Sequence, residues 1–132
     1  MNVDFAFLCD HIEASREKID ARGIGFDEIY ARSIPWTHPE FWYVTQLSAG
    51  VEEVGERDLD MSVIDADGDV VAQLTGTFPI ERPTPGEQTK VRIAIALNGV
   101  VFPRYGNYAL HLSADGHELN RLSLNVRASE HG

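Results

Sequence analysis

Tyr105-Gly106-Asn107-Tyr108-Ala109-Leu110-His111-Leu112, followed by Asp115-Gly116 and a second alternating run, is the stretch whose reading decides the fold. Tyr108, Leu110 and Leu112 alternate with small or polar residues, the period of a half-buried strand. Asp-Gly tolerates the positive φ that a tight hairpin turn demands. The segment therefore reads as a strand, a turn and a returning strand, entered through Gly106-x-Tyr108. A two-residue Asp115-Gly116 loop pairs Leu112 with Leu119 but also sets Leu110 against Arg121. A three-residue Asp115-Gly116-His117 loop pairs Leu110 with Leu122 and Tyr108 with Leu124. The apolar matching favours this shift of one residue, made by the longer loop or by a bulge near Asn120-Arg121.

Asp67-Gly68 is a second hairpin turn of the same kind. Closing it there pairs Met61 with Leu74 and Val63 with Ala72, so Leu59, Met61 and Val63 share one apolar face. Val91, Ile93, Ile95 and Leu97 mark another strand, and Phe41 to Ala49 a further one, apolar on both faces at its start. Near the N-terminus, Val3, Phe5, Phe7 and Cys9 alternate, which predicts a first strand burying that face. The segment Ile24 to Tyr30 is expected to pair back on it, weakened by Gly23 and Gly25. Between them, Ser15-Arg16-Glu17-Lys18 reads as a turn, although Ile12, Ala14 and Ile19 also suit one short helical turn. Pro79 to Gly86 reads as a loop running along a sheet edge, because proline cannot donate to a central ladder.

Short strands separated by turn signals, with almost no helical periodicity, predict an all-β, antiparallel two-sheet sandwich. A tyrosine two residues after a glycine at the start of a late strand pins one corner of many immunoglobulin-like sandwiches, so the expected architecture is immunoglobulin-like. The 132 residues make one domain, residues 1–132, able to bury roughly two thirds of the surface of its unfolded chain.

Composition bounds the partners. The chain has 21 acidic and 11 basic residues and a net charge of −10. A nucleic-acid binder needs cations to displace the counterions held by phosphate, so nucleic acid is not expected as a partner. Repulsion from anionic headgroups argues against a membrane surface, and no apolar run approaches the roughly 20 residues of a span. No signal peptide is evident, and the expected location is cytoplasmic. The acidic residues from Glu52 to Asp69 read as a solvated face. The single Cys9 excludes an intrachain disulfide and reads as a buried small hydrophobe.

The chemical motifs are weak. Asp65-Ala66-Asp67-Gly68-Asp69 resembles the start of a calcium loop. Such a loop wants Gly at its sixth position and Glu at its twelfth, where this chain has Val70 and Gly76. A hairpin turn accounts for the segment. His111 and His117 flank Asp115 without a third ligand of known proximity, so no metal or other cofactor is expected. No nucleophile elbow and no phosphate-cradling glycine pattern is present, and no catalytic residue nominates itself. What remains are aromatics in loops. Trp36 and His38 lie between Pro35 and Pro39, and Arg104 and Tyr105 precede the Gly106-x-Tyr108 corner. Loops that emerge at one end of a sandwich bring these four together as a candidate binding patch of the composition found at interface anchors. Trp42 alternates with Phe41 and Tyr43 and is expected on the outer face of its sheet.

Four stretches carry a resemblance to a known family. They are Met1 to Asp10, Lys18 to Asp27, Ile64 to Gly68, and Phe102-Pro103 through Asp115-Gly116-His117-Glu118. Together they resemble an uncharacterised family of small bacterial proteins, whose likeness implies a common sandwich and carries over no site. A local likeness to immunoglobulin domains lies in Gly106-Asn107-Tyr108-Ala109-Leu110, with Leu110 where those domains have cysteine and Arg104 where an acidic residue is usual. The expected function is a non-catalytic module acting by protein–protein contact, with a protein partner or self-association. The alternatives are a carbohydrate-binding module, with Trp36, Trp42 or Tyr105 stacking on sugar, and an enzyme without a recognisable motif.

Overall fold

The computed structural model describes residues 1–14 and 18–129, and over them the chain is all-β. The strands in chain order are β1 (Asn2–Cys9), β2 (His11–Ala14), β3 (Ile19–Arg22), β4 (Glu28–Ala31), β5 (Trp36–Thr37) and β6 (Phe41–Ala49). After a 3-10 turn at Val51–Glu53 come β7 (Gly55–Asp65), β8 (Val70–Ile80), β9 (Thr89–Leu97), β10 (Val101–Phe102), β11 (Gly106–Ala114) and β12 (His117–Ala128). They form a three-stranded sheet in the order β1-β6-β9, a five-stranded sheet in the order β4-β12-β11-β7-β8, and two ribbons, β2-β3 and β5-β10. The inner faces of the two larger sheets share one core. Leu8, Phe41, Tyr43 and Leu97 from the first meet Met61, Val63, Leu110, Leu112 and Leu124 from the second. No helix among the described residues is long and apolar enough to cross a membrane.

The last hairpin has the apolar register read from its sequence: Leu110 faces Leu122 and Tyr108 faces Leu124. The extra residue is a bulge at Leu119, between the pairs Leu112–Asn120 and Ser113–Glu118, while the turn itself stays at two residues. Asp115 (φ 50°) and Gly116 (φ 82°) both take the positive φ that such a turn requires. At the other end of β11 the Tyr108 hydroxyl donates to the Arg104 carbonyl (2.7 Å) and accepts from the Arg104 N–H (3.2 Å). One buried side chain thus satisfies both backbone groups of a residue just upstream.

The β7–β8 hairpin also keeps its expected pairs, Met61 with Leu74 and Val63 with Ala72. Its turn is longer than two residues, with a compensating bulge at Val71. The Asp65 carboxylate causes this by accepting the N–H groups of Asp67 and Asp69, each at 2.9 Å. Those bonds hold its pKa below the ordinary carboxylate value. The acid is committed to shaping the turn.

Three expectations for the N-terminal third are corrected. The first strand does not bury Phe5 and Phe7, because a bulge at Asp4 lets Val3 face Leu47 and Phe5 face Gln46. One inserted residue reverses the faces of everything after it. Ala6 and Leu8 turn to the core, while Phe5 and Phe7 stack on the outer face with ring centroids 5.9 Å apart. The Asp4 carboxylate fastens the bulge, accepting from Ser48 Oγ (2.7 Å), Gln46 Nε2 (2.9 Å) and Lys90 Nζ (3.1 Å). These bonds, that from Gln46 foremost, bring its pKa down to about 2.

The second correction concerns Ile24 to Tyr30, which does not pair back on β1. β4 adds to β12 in parallel, Ile29 beside Val126, so the sheets are not purely antiparallel. The third concerns the helical turn suggested for Ile12 to Ile19. β2 and β3 are strands, Ile12 facing Ala21. The turn proposed at Ser15 to Lys18 lies for its first three residues outside the described residues, as does His131. Cys9 is fully buried, and burial raises its thiol pKa, which keeps it an unreactive hydrophobe.

Candidate functional site

The two loops carrying the candidate residues do meet. β5 and β10 pair, Trp36 opposite Phe102 and Thr37 opposite Val101, and the His38 N–H donates to the Val100 carbonyl (3.0 Å). The pairing sends the four side chains into different surroundings. Trp36 is half-buried against the core, and its Nε1–H donates to His38 Nδ1 (3.0 Å). The His38 ring meets Phe41 edge-on with centroids 5.4 Å apart. Burial lowers the His38 pKa, and the bond from Trp36 requires a bare Nδ1, so both observations describe a neutral imidazole. This half of the expected patch is the margin of the core.

Arg104 and Tyr105 lie on the other side of β10. The Arg104 guanidinium reaches both turn acids, Asp65 and Asp67, each at 3.0 Å, and these charges, Asp67 first, raise its pKa. Tyr105 is 40% exposed, with its hydroxyl donating to the Ala31 carbonyl (3.3 Å). With Asn107 and Tyr108 these residues line a notch of about 110 Å³. Ligand pockets begin near 300 Å³, so the notch admits a few waters rather than a substrate. Its ion pairs clamp the β7–β8 turn to the loop before β11.

Trp42 does project from the outer face of its sheet, between Cys9 and Ala96, and is half-buried. Its indole N–H is buried and has no partner among the described residues. Of the three aromatics expected to stack on sugar, only Tyr105 is exposed. Among the described residues, no group of three metal-ligating side chains converges; His111 instead pairs with Glu118 at 3.1 Å.

Larger hollows lie elsewhere: one of about 620 Å³ beside Asp58, Asp60, Thr75, Gly76, Ser113 and Asp115, and others along the flank where β8 and β9, edge strands of different sheets, run past each other. One of about 290 Å³ is lined by Leu59, Met61, Leu74, Gly76, Ile95 and Ala96. The next, about 440 Å³, shares Ala94 with it and is lined by Phe78, Val91 and Ile93 together with Glu81, Lys90 and Arg92. Leu59, Leu74, Val91, Ile93 and Ile95 are inward-facing yet only half-buried, because no further strand covers them among the described residues.

Gly76 deepens this flank. It pairs with Leu59 on the inward face of β8, between Leu74 and Phe78, where a side chain would normally stand. A Cβ built there meets nothing within 4 Å, and its φ lies outside the left-handed region, so the backbone does not require glycine. The position is a notch in an otherwise apolar row.

The edges themselves differ. β1 is interrupted by its bulge, β4 has four residues, and β8 carries Pro79 and a bulge, all devices that blunt an edge. β9 has nine consecutive pairs with β6, no bulge and no proline. Its charges, Lys90 and Arg92, stand at one end on the outer face. The sequence analysis did not find this flank, since alternation identifies strands without saying which are edges. Gly76 inside an alternating run is the signal that was available.

The comparisons with known proteins bear on family more than on site. No curated protein matches the sequence. Among solved structures the fold is similar to Pseudomonas fluorescens alkylpurine DNA glycosylase AlkC bound to DNA containing an abasic site analog, at 12% identity and a TM-score of 0.49. The likeness covers 93% of this chain and 30% of that one, so the chain spans less than a third of the glycosylase. It transfers no activity, but it corrects one expectation. The exclusion of nucleic acid rested on net charge alone, and a similar fold occurs within a protein that was solved on DNA, so that exclusion is withdrawn. Residues 4–127 match the model of a family of unknown function. The uncharacterised family that the four sequence stretches resemble is thus given substance, and the chain belongs to the family of unknown function DUF6941.

Proposed function

We propose that this chain is an immunoglobulin-like sandwich that acts without catalysis, by protein–protein contact through the flank between β8 and β9. The fold reading is supported by strand order. β1-β6-β9 follows the A-B-E order of such domains, and β12-β11-β7 the G-F-C order, with β8 added beyond the C position. The Tyr108 corner, its hydroxyl bonded to the backbone at Arg104, agrees with that alignment. The alignment has one gap. In constant-type immunoglobulin domains a D strand lies beyond E, and here nothing follows β9 among the described residues.

The single observation that carries the functional reading is this long edge, free of bulge and proline, beside a row of half-buried apolar side chains. Unpaired backbone groups and apolar area together favour a protein surface over a small solute. A photoreactive phenylalanine analogue at Gly76 is expected to form a covalent adduct with one identifiable protein in the chain's native cells. Gly76→Arg, which fills the notch, should abolish association with that protein and leave stability within about 1 kcal/mol. An absence of protein adducts, or an association indifferent to Gly76→Arg, contradicts the reading.

A further inference from the structure

We infer that Asn98 is a site of spontaneous deamidation, and that its isoaspartyl product loosens the join between β9 and the β5–β10 ribbon. The inference is independent of the flank contact proposed above.

An asparagine side chain is attacked by the main-chain nitrogen of the next residue when that nitrogen reaches Cγ. Both groups belong to one chain, so the rate depends on approach rather than on encounter. A side chain on the next residue obstructs that approach, and glycine has no Cβ to do so. The chain has Asn2, Asn98, Asn107, Asn120 and Asn125, and glycine follows only Asn98. The others precede Val3, Tyr108, Arg121 and Val126 and lie within β1, β11 and β12. Three of them are also tied by their amides: Asn120 Nδ2 donates to the Tyr43 hydroxyl (2.9 Å), and Asn125 Nδ2 to Asn107 Oδ1.

Asn98 and Gly99 differ in each respect. They lie between the end of β9 and the start of β10, and both are exposed. Among the described residues neither the Asn98 amide nor the Gly99 N–H has a hydrogen-bond partner. Electrophile and nucleophile are both uncommitted. Gly99 takes φ 64°, which glycine adopts without strain, and a Cβ built there meets nothing within 4 Å. The surroundings leave space for a ring to close.

Aspartate before glycine follows the same route, and the structure opposes it at both places. The Gly68 N–H is committed to the Asp65 carbonyl (3.1 Å), and the Asp67 carboxylate pairs with Arg104 (3.0 Å). The Asp115 carboxylate accepts from the Asp58 N–H (2.9 Å) and from Arg57 (3.1 Å), bonds that keep it ionised. An ionised carboxylate offers no leaving group comparable with ammonia.

The step balances with water alone. The Gly99 nitrogen gives its proton to solvent and bonds to Asn98 Cγ, the Cγ–Nδ2 bond breaks, and ammonia leaves. Water then opens the cyclic imide. Opening at Cγ gives aspartate; opening at the main-chain carbonyl of residue 98 gives isoaspartate, whose main chain is longer by a methylene. Both flanks of this segment are pinned. Leu97 is fully buried opposite Phe41, and the buried Val100 accepts the His38 N–H through its carbonyl (3.0 Å). A methylene inserted between them strains the weaker anchor, the Val100–His38 hydrogen bond.

The full native chain is incubated at neutral and mildly alkaline pH, and peptide mass spectrometry separates the aspartyl and isoaspartyl forms. Asn98 is expected to convert at least about tenfold faster than any other asparagine, and faster still as pH rises. Gly99→Ala should slow the conversion about tenfold, whereas Asn98→Gln should abolish it and keep the parent's melting temperature. The isolated isoaspartyl form should exchange its His38 amide faster than the parent. Conversion of Asn98 no faster than that of Asn107 overturns the site. So does a native chain that converts over about a hundredfold more slowly than the same chain in denaturant. Unchanged exchange at His38 in the isoaspartyl form overturns the loosening.

Discussion

Leu110→Ala is expected to destabilise the fold by about 3–5 kcal/mol, among the largest effects of any single truncation in this chain. Leu110 is fully buried on β11, the strand that lies between β7 and β12, with Val63 on one side and Leu122 on the other. No loop borders it, so the surrounding sheet has little freedom to collapse into the cavity. The cost therefore lies toward the upper part of the range for leucine truncation. Chemical denaturation checks this: the midpoint should fall sharply with the slope unchanged. A loss below about 1 kcal/mol would mean that β11 is not central.

Trp36→Ala should cost about 2 kcal/mol, against less than about 1 kcal/mol for Tyr105→Ala. Both aromatics sit in loops next to prolines, and the sequence gives no reason to separate them. The structure does. Trp36 packs on the core margin and holds His38 through its indole N–H, whereas Tyr105 is 40% exposed and makes one long hydrogen bond. Trp36 is only partly buried, which is why its expected cost is below that of a fully buried tryptophan. Thermal melts of the two variants, compared with the parent, decide the matter. Equal losses would restore the view of one shared aromatic patch.

The contrast shows where the sequence was legible. Hairpins closed by Asp-Gly could be read in their apolar register, though not in their bulges or turn length, because turn chemistry and alternation are independent constraints that agree on the apolar pairs. Leu110 opposite Leu122 and Met61 opposite Leu74 both follow from that agreement. The N-terminal strand had alternation without a turn to fix its phase. A bulge at Asp4 was enough to reverse it, turning Phe5 and Phe7 outward. β4 was misplaced for a related reason: four residues hold too little pattern to declare a partner, and its parallel partner β12 lies at the far end of the chain.

The candidate site was legible in part. The segments of Trp36 and of Tyr105 lie beside prolines in the sequence, yet which side chain enters the core depends on the β5–β10 pairing, and that is a tertiary fact. The flank was invisible because edges are defined by the strand that is missing. Even so, the chain carries the signs: a bulge, shortness or a proline blunts β1, β4 and β8, β9 has only the charges of Lys90 and Arg92 at one end, and β8 holds a glycine that no backbone strain demands.

Amide hydrogen exchange along β9, measured on the full chain with and without the protein captured at position 76, tests flank contact at its source. The account predicts that amides between Thr89 and Leu97 slow markedly on association while the edges of β1 and β4 keep their rates. Unchanged exchange along β9 at saturating partner would contradict it.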